Sequence, residues 1–320
     1  MDYSIVALSV KQFWCGMIMP MKNHFRQIAI IGPTASGKTA LGIKIAKEIN
    51  AKILSLDSLA IYKEIDIASA KPTKEEMDGI CHFGIDIIAP NEDFDVTVYA
   101  NLYKQVVSQC KHENIPLIIT GGSSFYLKIL INGISKTPKI NDEHYKKATE
   151  MLHDTHKTYN VLFEKDPIYM SKISHNDRYR IEKALLIYLA SSKTPSEYFA
   201  SNVPEPIIKD PLSIYSIATK RELLREKIKH RTEQMVQHGL IQEVEYLKNK
   251  YGTKPNSMKA IGIKETLGYL EGEYTKKELI ELISVHTSQL AKRQETFNKT
   301  QFQSTKKLLA DEIYQDILKA

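Results

Sequence analysis

Cysteine is scarce and scattered. The 320 residues hold three, Cys15, Cys81 and Cys110, with no Cys-x-x-Cys pair. That excludes a disulfide framework and a thiolate metal site, and it fits a reducing, cytoplasmic setting. His82 and His175 have no partner at zinc-ligand spacing. No apolar run approaches the roughly 20 residues of a membrane helix, so no membrane span is expected. Internal repeats and low-complexity tracts are absent, and so is Asn-Lys-x-Asp, the guanine-specifying motif of switch proteins. What is present is ordinary for a soluble globular chain: 42% hydrophobic residues, 26% charged and a net charge of +6. The length allows one large domain or two smaller ones.

The charge is unevenly placed. From Lys220 to Lys307 there are 18 Lys/Arg against 11 Asp/Glu, while the remainder is close to neutral. A positive C-terminal third is compatible with a polyanionic partner such as nucleic acid, and equally with solvated helix faces. Residues 1–25 read as an N-terminal extension, or as a start assigned too early. Ile5 to Pro20 is apolar but interrupted by Lys11, with no cleavage site after it.

Periodicity predicts an alternating core. Ile28–Ile31 reads as a buried strand ending in Gly32, Lys38–Ile49 as a helix, and Ile53–Leu56 as a strand stopping at Asp57. Tyr99–His112 reads as a helix and Ile115–Thr120 as a strand entering Gly121-Gly122, with a helix restarting at Ser124. This alternation predicts a parallel sheet covered by helices on both faces. Residues 138–206 lack a strand signal and carry helical stretches at Glu143–His153 and Arg178–Ser191, which marks a helical insertion. Ile214–Ile217 reads as a returning strand. Charged helices follow at Arg221–Gln237, Leu240–Lys250 and Lys276–Phe297.

Gly32-Pro33-Thr34-Ala35-Ser36-Gly37-Lys38-Thr39 is G-x-x-x-x-G-K-[ST] between a strand and a helix. Its glycines let backbone N–H groups curl around phosphate oxygens at a helix N-terminus. Lys38 adds a mobile cation, and the Thr39 hydroxyl suits Mg²⁺. The expected fold is therefore a P-loop three-layer α/β/α with a central parallel sheet and a helical insertion domain, the core being residues 26–137 and 207–320. Many nucleotide hydrolases end a later strand in a metal-holding Asp, but here that strand ends in Thr120. Asp57 is the only strand-terminal acid, so it points at the ligand crevice, as a metal partner or as a general base. A cap on its own turn is the plainer reading. Ser123 and the Gly121-Gly122 backbone reach the same crevice, whereas Lys71 before Pro72 reads as a surface-loop lysine.

The ordered set GPTASGKT (32–39), DSLAIYKEIDIASAKP (57–72), GGSSFYL (121–127), ISHNDRYRIEKAL (173–185), RELLREKIKHRTEQMVQHGLIQEV (221–244), KAIGIKE (259–265) and QLAKRQETF (289–297) resembles the tRNA dimethylallyltransferases, or tRNA isopentenyltransferases. The resemblance implies transfer of a dimethylallyl group from dimethylallyl diphosphate to N6 of adenosine 37 in tRNA, with release of diphosphate. It implies Asp57 as the base and Ser123 as a second catalytic group. The diphosphate would lie on residues 32–39 with Arg221 and Lys227, and Mg²⁺ on Thr39. Ser58, Leu59 and Ala60 would line the adenosine pocket beside Asp57 and Ser123. The insertion would grip the anticodon stem, with Tyr145, Arg180 and Lys183 as tRNA contacts. A cytoplasmic monomer is expected.

Departures from the family pattern are Ala60 for a common Gln, Lys227 and Tyr145 where Arg is common, Ser288 for Arg, and Phe297 for Trp. Lys227 keeps the charge but loses the bidentate fork. The alternatives are a small-molecule kinase using ATP on the same loop, and a relative that prenylates free adenine nucleotides.

Overall fold

The apolar, β-branched stretch Gln27–Ile31 forms β1, every residue of it buried, at the centre of a six-stranded sheet. In the computed structural model, which describes residues 25–319, the strand order is β3-β2-β4-β1-β5-β6 and every pairing is parallel. The partners are β2 (Lys52–Ser55), β3 (His82–Phe83), β4 (Leu117–Gly121), β5 (Leu212–Ile217) and β6 (Lys306–Leu308). The register places Ile31 beside Gly121 of β4 and Ser216 of β5, so the strands reach their carboxyl ends together.

Alternation along the strands builds the two helical layers. Ile28, Ile30, Ile53, Ile118, Tyr215 and Ile217 face one side. They pack against Leu41, Ile45 and Ala46 of α1 (Lys38–Ile49), and against Ile313 and Ile317 of the C-terminal helix Ala310–Lys319. Ala29, Ile31, Leu54, Leu117 and Ile119 face the other side. There they meet Tyr99, Tyr103 and Val106 of the helix Val96–His112, and Leu127 and Leu130 of the helix Ser124–Asn132. This is the three-layer α/β/α arrangement expected from the sequence. Each fully buried Ile contributes on the order of 1.5–3 kcal/mol relative to exposure.

In chain order, a short α2 (Lys74–Met77) precedes α3 (Val96–His112) and α4 (Ser124–Asn132). The insertion holds α5 (Asp142–Met151), α6 (Thr155–Lys165), α7 (Pro167–Met170), α8 (Arg178–Ser191) and α9 (Pro195–Ser201). Ala148, Leu152, Leu162, Met170, Ile181, Leu185 and Leu186 form a hydrophobic cluster of its own. Asp166 fastens that cluster. It is 4% exposed, and its carboxylate accepts the Tyr169 N–H at 3.0 Å and both the N–H and the hydroxyl of Ser196 at 2.7 Å. Burial raises its pKa, but the bonds from Ser196 and Tyr169 outweigh burial and hold it below the ordinary carboxylate value.

After β5 come α10 (Arg221–Gln237), α11 (Leu240–Tyr251), α12 (Ile263–Leu270), α13 (Lys276–Gln301) and, after β6, α14 (Ala310–Lys319). Residues of α11, α12 and α13 share a third cluster with Ile61, Tyr62, Ile65 and Ala68, which anchors the loop after β2. Two expectations shift. The second strand ends at Ser55, although Leu56 still donates its N–H across to Thr120 O of β4 at 2.8 Å. Lys71 is no surface lysine: its side chain is 6% exposed, paired with Asp66 and Asp86 and bonded to Tyr62 O. The reading of residues 1–25 lies, Phe25 apart, outside the described residues.

Candidate active site

The carboxyl end of β1 runs directly into the phosphate loop, and α1 starts at Lys38. Gly37 at the N-cap has no side chain to bond the first-turn N–H groups, so these remain free for an anion. Lys38 is 8% exposed, and its Nζ donates to Pro33 O at 2.7 Å. Burial pulls its pKa down to about 8. Nearby Asp57 opposes that shift and the positive charge of Arg231 reinforces it.

Asp57 follows β2 on a loop tied down at its far end. Its Oδ1 accepts the N–H of Leu59 at 2.8 Å and of Ala60 at 3.2 Å, while Oδ2 has no hydrogen bond among the described residues. One oxygen thus closes the turn, and the other stays free for a proton or a cation. Farther along, Glu243 of α11 accepts the N–H groups of Asp66, Ile67 and Ala68 at 2.9, 2.7 and 2.8 Å. Burial still raises the Glu243 pKa against these three bonds.

The turn after β4 packs on the same loop. A Cβ on Gly121 would stand 2.1 Å from Leu56 O, so no side chain fits there. Ser123 donates its N–H to Leu56 O at 2.9 Å, and its Oγ accepts the Ser58 N–H at 3.2 Å. The two turns are one unit, with Asp57 and Ser123 on it.

Two further groups went unread in the sequence. Arg231 of α10 donates to Ala70 O at 2.9 Å. Burial lowers its pKa, opposed by Asp57 and Glu76, so its cation sits in the field of Asp57 and Lys38. Its one readable mark is its position a helical turn beyond Lys227, on the same face. Gln294 of α13 accepts the Thr34 N–H of the phosphate loop at 2.8 Å, a contact across 260 residues that no local pattern announces.

The other expected residues divide between the Asp57 turn, which carries Ser58, Leu59 and Ala60, and more distant surfaces. Arg221 lines, with Arg225, Lys229 and Lys292, a groove of about 980 Å³ between α10 and α13. Lys227 is exposed, Ser58 is exposed and Leu59 is half-buried. Ala60 is 3% exposed and meets Asp57 through its backbone N–H. Tyr145, Arg180 and Lys183 are exposed on the insertion. Arg180 pairs with Asp177 at 2.8 Å, and the Lys183 Nζ lies 5.3 Å from the Tyr179 ring centre.

Among the described residues no group of three or more His, Cys, Asp or Glu could hold a metal ion. Among the described residues the Thr39 hydroxyl, Asp57 Oδ2 and the buried Ser36 Oγ of the phosphate loop have no hydrogen bond. Few protein oxygens beside a phosphate site suit Mg²⁺, which draws its remaining ligands from phosphate and water.

A model of the IPP transferase family matches residues 60–301. The chain belongs to that family. An IPP transferase relative from Sulfurovum sp. (strain NBC37-1), named tRNA dimethylallyltransferase, is 55% identical over 298 residues, 93% of this chain and 99% of its own. One of the same name from Sulfurimonas denitrificans is 53% identical, covering 86% and 93%. Among solved structures, the tRNA isopentenylpyrophosphate transferase of Bacillus halodurans superposes with TM-score 0.66 at 27% identity, over 91% of this chain and 94% of that one. A eukaryotic dimethylallyltransferase described as acting on tRNA gives 0.74 at 27% identity, over 85% and 70%. No helix among the described residues is long and apolar enough to cross a membrane.

Proposed function

We propose that this IPP transferase moves the dimethylallyl group of dimethylallyl diphosphate to N6 of adenosine 37 in tRNA, beside the anticodon, leaving N6-dimethylallyladenosine and diphosphate. The observation that carries the reading is the pairing of a phosphate loop with the half-free carboxylate of Asp57, at the carboxyl end of the sheet where β4 ends without an acid. A hydrolase needs a held water; an exocyclic amine needs its proton removed, and Asp57 Oδ2 is the open base. The adenine must leave its stack to reach that oxygen.

As the N6–C bond forms and the C–O bond to diphosphate breaks, Asp57 accepts the N6 proton. The negative charge released on the leaving oxygens falls on Lys38, Arg231 and the free N–H groups of the loop. Ser123 stands by with its hydroxyl, and its N–H keeps the two turns in register. Mg²⁺, held by Thr39 and the diphosphate itself, would neutralise phosphate charge. Tyr145, Arg180 and Lys183 on the insertion would meet the anticodon stem. The reading is of a monomer, and the free thiols of Cys81 and Cys110 suit the cytoplasm.

Incubation of the protein with Mg²⁺, labelled dimethylallyl diphosphate and unmodified tRNA bearing adenosine 37 should yield N6-dimethylallyladenosine by nucleoside mass analysis. A parallel mixture with ATP should yield nothing. No transfer, with ATP consumed, would overturn the reading.

A further inference from the structure

Gln294 sits where the phosphate loop meets the turn after β4, and its two ends do different things. Its Oε1 accepts the Thr34 N–H at 2.8 Å, which fixes which end of the amide is oxygen, because a backbone N–H needs an acceptor. Its Nε2 then faces the opposite way. A Cβ on Gly122 would lie 2.5 Å from that nitrogen, so the NH₂ group fills the place a side chain would take. Nε2 donates to no protein atom among the described residues. The result is an oriented, unspent donor between the phosphate loop and Ser123. Ser123 itself is held to the Asp57 loop through Leu56 and Ser58.

We infer that Gln294 Nε2 binds the diphosphate of the substrate on the side away from Lys38, while Oε1 holds the phosphate loop at the spacing this requires. The inference deepens the proposed function and rests on the phosphate loop taking a diphosphate. A side chain at position 122 would have to displace the amide from this place. Gln294 therefore acts twice: it touches the leaving group, and it sets the distance between the two turns that surround it.

Two substitutions separate these roles. Gln294→Glu keeps an acceptor for Thr34 N–H but replaces the donor with an anionic oxygen. Gln294→Met keeps the length and loses both. Binding of inorganic diphosphate with Mg²⁺, followed by calorimetry, should weaken about 10-fold in Gln294→Met, as for a lost hydrogen bond to a charged group. It should weaken by roughly 100-fold in Gln294→Glu, where repulsion adds. Gln294→Glu should also melt within a few degrees of the parent, since the Thr34 bond survives. If Gln294→Glu binds diphosphate within twofold of the parent while Gln294→Met does not, the amide is only a brace and the inference fails. Lys38→Met is the control for the underlying reading. If the parent binds diphosphate no better than Lys38→Met, the loop is not a diphosphate site and the proposed function itself falls.

Discussion

Ser58 and Ser123 meet side by side: the Ser58 N–H donates to Ser123 Oγ at 3.2 Å, and the two hydroxyl oxygens lie 3.3 Å apart. Residues that follow two different strands thereby close one wall of the crevice. Ser123→Ala removes the acceptor while leaving the Ser123 N–H bond to Leu56 O in place. Turnover should fall about 10-fold with little change in melting temperature, the loss being one hydrogen bond to an exposed N–H. Steady-state kinetics beside a thermal melt checks both halves.

Asp57 is best tested with Asn rather than Ala. Asp57→Asn keeps an oxygen for the N–H groups of Leu59 and Ala60, so the turn survives, and it cannot take a proton. Turnover should drop by ~10²-fold or more, as for a lost general base, with tRNA and diphosphate affinities within a few fold of the parent. Single-turnover rates measured at saturating tRNA decide it; an unchanged rate removes Asp57 from the base role.

Lys38 gives a pH dependence whose sign differs for binding and for stability. Burial lowers its pKa to about 8, so above that pH the free protein loses the charge that diphosphate needs. Affinity for diphosphate should decline by up to about tenfold per pH unit above 8, with one proton taken up on binding. Stability runs the other way. Between about 8 and the ordinary lysine value of 10.5 the unfolded chain binds more protons, so the ligand-free protein gains stability as pH rises through that window. Calorimetry in buffers of different ionisation enthalpy measures the first effect and urea melts the second. Lys38→Met should abolish both slopes.

Asp166 predicts acid sensitivity of the insertion. Its pKa is held below the ordinary value by Ser196 and Tyr169, so its stabilising contribution is full above about pH 4 and is lost as pH falls through the native pKa. Asp166→Asn should cost about 2 kcal/mol at pH 7, the scale of a hydrogen bond to a charged group, and should flatten the acid limb. Hydrogen exchange of α7 and α9, followed from pH 7 to pH 3, reports on it directly.

Glu243 is predicted to act on chemistry from behind the site. Glu243→Ala leaves the N–H groups of Asp66, Ile67 and Ala68 without their acceptor, at a cost of about 2–4 kcal/mol. The loop carrying Asp57 loosens with them. Turnover should fall while Glu243→Gln, which keeps one acceptor, recovers part of it. Equal turnover in the Ala variant and the parent would show that the loop is held sufficiently by Arg231 and Lys71.

The helices whose ends were read closely are those with short-range punctuation. Lys38–Ile49, Arg178–Ser191 and Arg221–Gln237 agree with their predicted bounds at both ends, set by Gly37, by the Asp177 cap and by the break after Gln237. Strands β3 and β6 were not foreseen. One is His82–Phe83 alone and the other is Lys306–Leu308, and neither carries an apolar run; their place comes from pairing with β2 and β5. In the insertion, α6, α7 and α9 begin at Asp154, Asp166 and Thr194, caps that precede mixed-charge segments with weak periodicity. At the site, motif and strand-end logic picked out Lys38, Asp57 and Ser123. Arg231, Glu243 and Gln294 escaped, and Lys71 was misplaced on the surface, because each is defined by its partners. The Glu243–Ala68 bond spans 175 residues, and burial of a charge is invisible until both ends are in place.

The bond from Thr34 to Gln294 joins the start of the catalytic core to a helix 260 residues later. Translation therefore makes the phosphate loop early and the residue that braces it late. A chain that ends before α13 carries the phosphate loop without the Gln294 contact. The loop gains this contact only after α13 has been made, so its final geometry is set late in the chain.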